Sequence, residues 1–219
     1  MVRIPTPQIG RRAVVGGLAT TAAALTLPRR GFAVAATPLV PTPAQSTGPF
    51  YPVDWSGDTD NDLVRVYGEP AEALGHVTHI AGRVLDVMGE PISGATIEIW
   101  QCDNSGRYRH PDDRNRGTRD AGFQGRGRAV TGADGRYAFR TIRPVHYPGR
   151  TPHIHFAITA PGSQLVTQMY VAGEPLNETD FLLNRIRDPQ QRASVLVRLE
   201  PADRIEQGSL AGTFDIVMG

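Results

Sequence analysis

His153 and His155 stand two apart in the run His153-Ile154-His155-Phe156-Ala157-Ile158, which reads as a β-strand. Side chains at i and i+2 of a strand leave on the same face, about 7 Å apart along the backbone. Two imidazoles on one face can converge on one metal ion. The ten residues from Tyr147 to Phe156 also hold a phenol, Tyr147, and a guanidinium, Arg150. A strand carrying this chemistry needs partner strands, and runs of the same kind recur along the chain. With 24 Gly and 18 Pro to punctuate them, they favour an all-β fold over an α/β one.

The expected architecture is an antiparallel β-sandwich with long loops, few short helices and an extended N-terminal arm. Residues 37–62 are rich in Pro, Thr, Gly and Asp, and the arm is taken to run to residue 75. Residues 76–219 form the core. His79–Val87 is a strand and Met88-Gly89-Glu90-Pro91 a turn. Ala95–Gln101 alternates, with Ile97 and Ile99 facing one way and Thr96, Glu98 and Trp100 the other. Asp103–Arg128 is a long polar loop, and a loop of that length in a single domain is usually functional. Asp134-Gly135 signals a hairpin between a run near Ala129-Val130 and Tyr137–Ile142. Leu165–Val171 is a strand, Thr179–Ile186 a short helix ending near Asp188-Pro189, and Val195–Leu199 and Thr213–Val217 are closing strands.

The first 36 residues read as an export signal. Arg11-Arg12 precede an apolar run, Ala13–Leu27, and Ala33-Val34-Ala35 offers a small-x-small cleavage pattern. The paired arginines point to the twin-arginine route, with Sec export as the alternative. The expected location is therefore periplasmic or extracellular. The chain has 23 basic residues, all Arg, and 22 acidic ones. Five of the Arg lie in residues 1–36, which hold no acid, so the mature part has 18 against 22 and a net charge of about −4. That balance does not support a nucleic-acid partner. No later segment is apolar enough to span a membrane. The single cysteine, Cys102, sits at the end of a strand and is expected to be a buried bystander.

His-x-His on a strand is a modest signal by itself. Tyr147, just upstream, and Tyr108, in the long polar loop, strengthen it. Phenolate is a hard anionic ligand whose pKa a trivalent cation would lower. Two phenolates and two imidazoles suit Fe(III), whereas Zn would more often show Cys, a third His or a carboxylate. The bland alternative for each tyrosine is a half-buried ring with its hydroxyl hydrogen-bonded. Arg150 fits stabilisation of a developing anion, against the alternative of a surface ion pair. Gln168 could hydrogen-bond a substrate or simply be an edge-strand polar residue. His76 and His79 read as a solvated pair, His110 and His146 as neighbours of the ligands, and Asp112-Asp113 as loop charge.

Together these segments resemble the intradiol ring-cleavage dioxygenases, in particular the iron-bearing protocatechuate 3,4-dioxygenase type. The matching motifs are Thr47–Pro52, Gly94–Gln101, Gly106–His110, Asp134–Pro144, Tyr147-Pro148, Arg150–Phe156 and Leu165–Tyr170, in order over about residues 42–175. The resemblance implies one non-haem Fe(III) per chain, held by Tyr108, Tyr147, His153 and His155. It implies an active-site arginine at Arg150, a substrate-side glutamine at Gln168, and Tyr147 as the displaceable ligand and internal base. Tyr51, on the arm, is a candidate for the pocket wall or for packing. The implied reaction inserts both atoms of O2 between the two hydroxyl-bearing carbons of a catechol, giving a cis,cis-muconate-type diacid. The expected partners are a catechol-type substrate and O2, with assembly as a homo-oligomer. The stretch between Tyr147 and His153 is shorter than in protocatechuate enzymes and lacks their Trp after Tyr-Pro, so that wall of the pocket differs. The alternative is a non-catalytic transthyretin-like sandwich, which would have no need of the four ligands together.

Overall fold

The computed structural model describes residues 37–114 and 117–219; the expected export signal at residues 1–36 lies outside the described residues. Ten strands form two sheets: β1 (Val77–Asp86), β2 (Thr96–Trp100), β3 (Arg126–Val130), β4 (Arg136–Ile142), β5 (His153–Ala160), β6 (Ser163–Val171), β7 (Leu196–Val197), β8 (Glu200–Pro201), β9 (Leu210–Thr213) and β10 (Ile216–Met218). In the first sheet β1 pairs antiparallel with β4 and, on its other edge, parallel with β9 and then β10. The chain jogs at Phe214-Asp215 between those last two strands. Gly82 lies opposite the jog, where a Cβ would fall 2.0 Å from the Phe214 carbonyl oxygen. Only glycine allows that approach. The second sheet runs β3-β2-β5-β6-β7, antiparallel except for β6 with β7.

Alternation in the second sheet divides its side chains between two layers. Ile97 and Ile99 of β2, with Ile154, Phe156 and Ile158 of β5, face the first sheet and are fully buried there. Phe156 is central, its ring 5.0 Å from Phe214, 6.2 Å from Tyr137 and 6.5 Å from Phe139 of the opposite layer. Such a stack of large apolar side chains supplies most of the driving force for folding. The opposite face of the same strands carries Trp100, His153, His155, Gln168 and Tyr170, and registers Trp100 with His155, His155 with Gln168, and His153 with Tyr170.

The N-terminal arm covers this second face. Thr42 N–H donates to Val217 O, Gln45 N–H to Val166 O, and Thr167 Oγ1 to the Pro43 carbonyl. Further along, Leu63 and Val64 are wholly buried in the main core. The long polar loop is tied from within by carboxylates. Asp103, 1% exposed, accepts from Ser105 N, Ser105 Oγ, Arg107 N and Asp120 N. Asp113, expected to be loop charge, is instead buried and accepts from Tyr108 N–H at 2.5 Å.

The helix expected over Thr179–Ile186 is replaced by two 3₁₀ turns, Pro175–Glu178 and Leu183–Arg185. The α-helix α1 begins where that helix was to end, at Pro189–Ser194. Asp188 is its N-cap, accepting from Gln190 N and Gln191 N, with Pro189 in the first turn. An Asp-Pro pair is as good a start signal as a stop signal, and here it starts the helix.

Arg140 on β4 joins distant segments. Its guanidinium donates to Glu206 at 2.7 and 2.8 Å and to Asp62 at 3.1 Å, and His79 meets Glu206 at 3.1 Å. The Arg140 hydrogen bonds push the Glu206 carboxyl down to about 2. A depressed carboxyl contributes stability above its unfolded pKa and loses it as pH falls through the folded value. Glu206 is partly exposed and screened, so the contribution is about 1 kcal/mol. Glu206→Gln should therefore lower urea stability by about that much at neutral pH, with the two proteins converging in acid between the ordinary glutamate pKa and about 2.

Candidate active site

β5 supplies the two imidazoles. His153 Nδ1 lies 2.6 Å from the Thr151 carbonyl oxygen. A carbonyl only accepts, so Nδ1 carries the proton and Nε2 presents a lone pair. His155 Nε2 faces it at 3.2 Å. The His155 ring is stacked on Trp100, with centroids 4.8 Å apart and planes 7° apart. On the arm side it meets Gly48, where a Cβ would lie 3.3 Å from His155 Cε1 and where φ is +71°. Gly48 thus serves both the turn and the close approach. His155 Nδ1 is buried and has no hydrogen-bond partner among the described residues.

Two phenols complete the group. Tyr108 Oη is 3.4 Å from His153 Nε2, and the Tyr108 and Tyr147 rings meet edge to face at 5.4 Å. Tyr147 and His153 have ring centroids 5.5 Å apart. Tyr108 is 2% exposed, whereas Tyr147 is half-buried on a tight turn closed by a Tyr147–Arg150 bridge. Burial holds the Tyr108 phenol well above its ordinary range and raises that of Tyr147, against the opposing pull of Arg150. Burial likewise drives His155 far below the ordinary imidazole value and His153 down to about 3, with Arg150 adding to both. All four groups are therefore neutral near pH 7. Two of them become strong anionic ligands only if a cation supplies the compensating charge.

Arg150 stands beside Tyr147, its NH1 3.4 Å from the phenol oxygen. The guanidinium is held by Asp180, with Nε to Oδ2 at 2.8 Å, and by Gln168 Oε1 at 2.5 Å. Asp180 also accepts from Thr151 N, Leu182 N and Leu183 N. Burial alone would raise its carboxyl, but those backbone donors and Arg150 outweigh it and hold it low. Gln168 is fully committed: its oxygen also accepts from Tyr170 Oη at 3.1 Å and its amide nitrogen donates to Ser46 O at 3.2 Å. Its visible role is to hold Arg150 and the arm. Tyr51 packs edge-on against Trp100 and donates to Glu98 Oε2 at 2.7 Å, one ring behind His155. Its neighbour Phe50 is the arm residue that reaches the phenols, stacked on Tyr108 at 4.8 Å and edge-on to Tyr147 at 6.4 Å.

Cys102 is buried, and burial pushes its thiol up to about 12, in keeping with a bystander. His76 and His79 turn to Gly208 O and Glu206, away from this cluster. Phe50, Trp100 and Asp180 were not singled out from the sequence. Trp100 had a usable signal, since its alternation with Ile97 and Ile99 puts it on the histidine face. Asp180 had none, because it arrives from a separate loop.

A family profile described as Dioxygenase matches residues 46–219. The protocatechuate 3,4-dioxygenase beta chain of Burkholderia cepacia is 38% identical over 180 residues, which cover 78% of this chain and 76% of that one. The hydroxyquinol 1,2-dioxygenase of Nocardioides simplex is 35% identical over 129 residues, covering 49% of this chain and 41% of that enzyme. Among solved structures, the dioxygenase domain of a dioxygenase–carbohydrate-binding protein fusion from Streptomyces sp. SirexAA-E aligns with a TM-score of 0.62 at 35% identity, covering 81% of this chain and 97% of that one. The fold and sequence together define a β-sandwich dioxygenase. Within that class, the chain belongs to the intradiol ring-cleavage dioxygenases.

Removing Asp180 strands the Arg150 charge in a buried place. Asp180→Ala should cost about 3–5 kcal/mol in chemical denaturation. Asp180→Asn, which keeps an acceptor for Thr151 and Leu183, should cost clearly less.

Proposed function

We propose that this chain is a non-haem Fe(III) enzyme that cleaves a catechol-type aromatic between its two hydroxyl-bearing carbons, using O2 and yielding a cis,cis-muconate-type diacid. The observation that carries the reading is the convergence of two neutral imidazoles and two neutral phenols in one buried cluster, with His153 Nε2 at 3.2 Å from His155 Nε2 and 3.4 Å from Tyr108 Oη. This donor set fits a hard trivalent ion. Both imidazoles can present lone pairs, the phenols can supply two anionic oxygens, and the nearby carboxylate, Asp180, is taken by Arg150. The residues that would hold the ion are Tyr108, Tyr147, His153 and His155. When bound, it supplies a Lewis acid and a template that make the catechol ring reactive toward O2.

The remaining work falls to the chain. Tyr108, enclosed by Phe50 and Tyr147, is suited to remain in place. Tyr147 sits on a half-exposed turn and has the freedom to move that Tyr108 lacks. Its phenol is neutral in the protein alone; ionised by a bound cation, its oxygen would serve as a general base toward a catechol hydroxyl. Arg150, held rigid by Asp180 and Gln168, presents a permanent positive charge where negative charge gathers on substrate and product. Trp100 and Phe50 wall the cluster with apolar surface and limit water around it.

Tyrosinate bound to Fe(III) absorbs visible light, so the iron-loaded protein should be coloured and should take up O2 with a catechol panel. Tyr108→Phe and His155→Ala should lose iron and colour. Arg150→Ala should keep the colour and lose about 10²–10³ in turnover. A colourless, iron-free protein after iron-replete expression would sink this reading.

We further propose that residues 1–36 direct export to the periplasm or beyond, by the twin-arginine route. Support comes from Arg11-Arg12, the apolar run and the Ala33-Val34-Ala35 pattern. The family match, from residue 46, begins beyond this stretch. Replacing Arg11 and Arg12 by Lys should keep the protein in the cytoplasm, as cell fractionation would show; unchanged export would remove the twin-arginine assignment.

A further inference from the structure

Seven arginines of the described residues pair with a carboxylate: Arg65, Arg128, Arg136, Arg140, Arg143, Arg150 and Arg198. Four that make no ion pair among the described residues line one cleft of about 630 Å³: Arg107, Arg109, Arg119 and Arg126. The cleft lies along the segment that contains Tyr108, with Val53, Asp54 and His110 among its other walls. Asp54 is the one carboxylate in that lining, and it is engaged by Ser56 N and Ser56 Oγ. Four guanidinium groups against one carboxylate leave three net positive charges. The processed chain as a whole would be acidic, so this concentration is a local feature.

Arg126 is the most informative of the four. It is 2% exposed, its NH2 donates to the Ser56 carbonyl at 2.6 Å, and its Nε has no hydrogen-bond partner among the described residues. Burial and the charges of Arg109, Arg119 and Arg128 work against its protonated form, and Asp54 offsets them only in part. Arg107 Nε is likewise buried and without a hydrogen-bond partner among the described residues, while its other nitrogens reach the carbonyls of Gly117 and Asp113. A buried guanidinium in a cationic cleft is costly unless an anion enters. Forked N–H donors match the oxygens of carboxylate and phosphate groups. The volume is that of a small-molecule site.

We propose that this cleft, which Tyr108 also lines, is a binding site for a small polyvalent oxyanion, a molecule bearing carboxylate or phosphate groups. The two solvent-facing arginines, Arg109 and Arg119, attract and fork the anion. Arg126, at the buried end, gains a counter-charge beyond that of Asp54.

Calorimetric titration of the iron-loaded protein with inorganic phosphate, and separately with citrate, tests this. The expected result is saturable binding at one site per chain that weakens as sodium chloride is raised. The tighter of the two probes names the head group. Arg109→Gln/Arg119→Gln, which leaves Arg126 and the core in place, should bind at least about tenfold more weakly. Arg83→Gln/Arg204→Gln, which removes two charges elsewhere that make no ion pair among the described residues, should bind as the wild type does. Absence of saturable binding by both probes, or equal loss in both double variants, would overturn the proposal. The titration also runs on iron-free protein, so its outcome is distinguishable from that of the iron reading.

Discussion

The antiparallel pairing of β5 with β2 and β6 is the constraint on which the site depends. One side of β5 drives Ile154, Phe156 and Ile158 into the sandwich, where Phe156 meets three aromatic rings of the opposite sheet. The other side then has no choice but to present His153 and His155 together. Because the side-chain period is two, a slip of one residue would turn the imidazoles into the apolar core and put the isoleucines on the site face. The same registers bring Trp100 and Gln168 to either side of His155. Core packing and ligand placement are thus one energetic event.

The second layer of organisation is electrostatic. Every proposed ligand is neutral in its buried setting, and the one permanent charge among them, Arg150, is matched by Asp180. Asp180 also accepts from the Thr151 N–H, and the carbonyl of the same residue in turn orients His153. A single buried carboxylate therefore fixes both the arginine and, through one residue, an imidazole. The arm closes the assembly, with Gly48 against His155, Phe50 against Tyr108 and Ser46 on Gln168. The cationic cleft along the Tyr108 segment is the counter-example to this economy of charge, since among the described residues its lining sets four arginines against one carboxylate, Asp54.

Much of the sandwich was legible in the sequence. The alternating runs lie within a few residues of β1, β2, β4, β5 and β6, because half-buried strands must alternate. Two features were misread for physical reasons. Asp188-Pro189 can end one helix or begin another, and local sequence does not say which. Asp113 looked like loop charge because its role is to catch a backbone N–H, that of Tyr108, once the loop has folded. Tyr51 was chosen from the arm because it carries a phenol; the ring that meets Tyr108 and Tyr147 is Phe50, one residue earlier.

By itself the sequence determined the fold class, through strand alternation and turn residues, and the proposed ligand types, through Tyr108, Tyr147, His153 and His155. These are local or compositional properties and survive without knowledge of contacts. The tertiary structure decided what surrounds them: that Asp180 anchors Arg150, that Trp100 and Gly48 grip His155, that Gln168 is committed to the frame, and that four arginines without an ion pair among the described residues share one cleft. Each of those depends on residues distant in the chain, whose meeting is set by sheet register and loop closure rather than by any pattern in neighbouring residues.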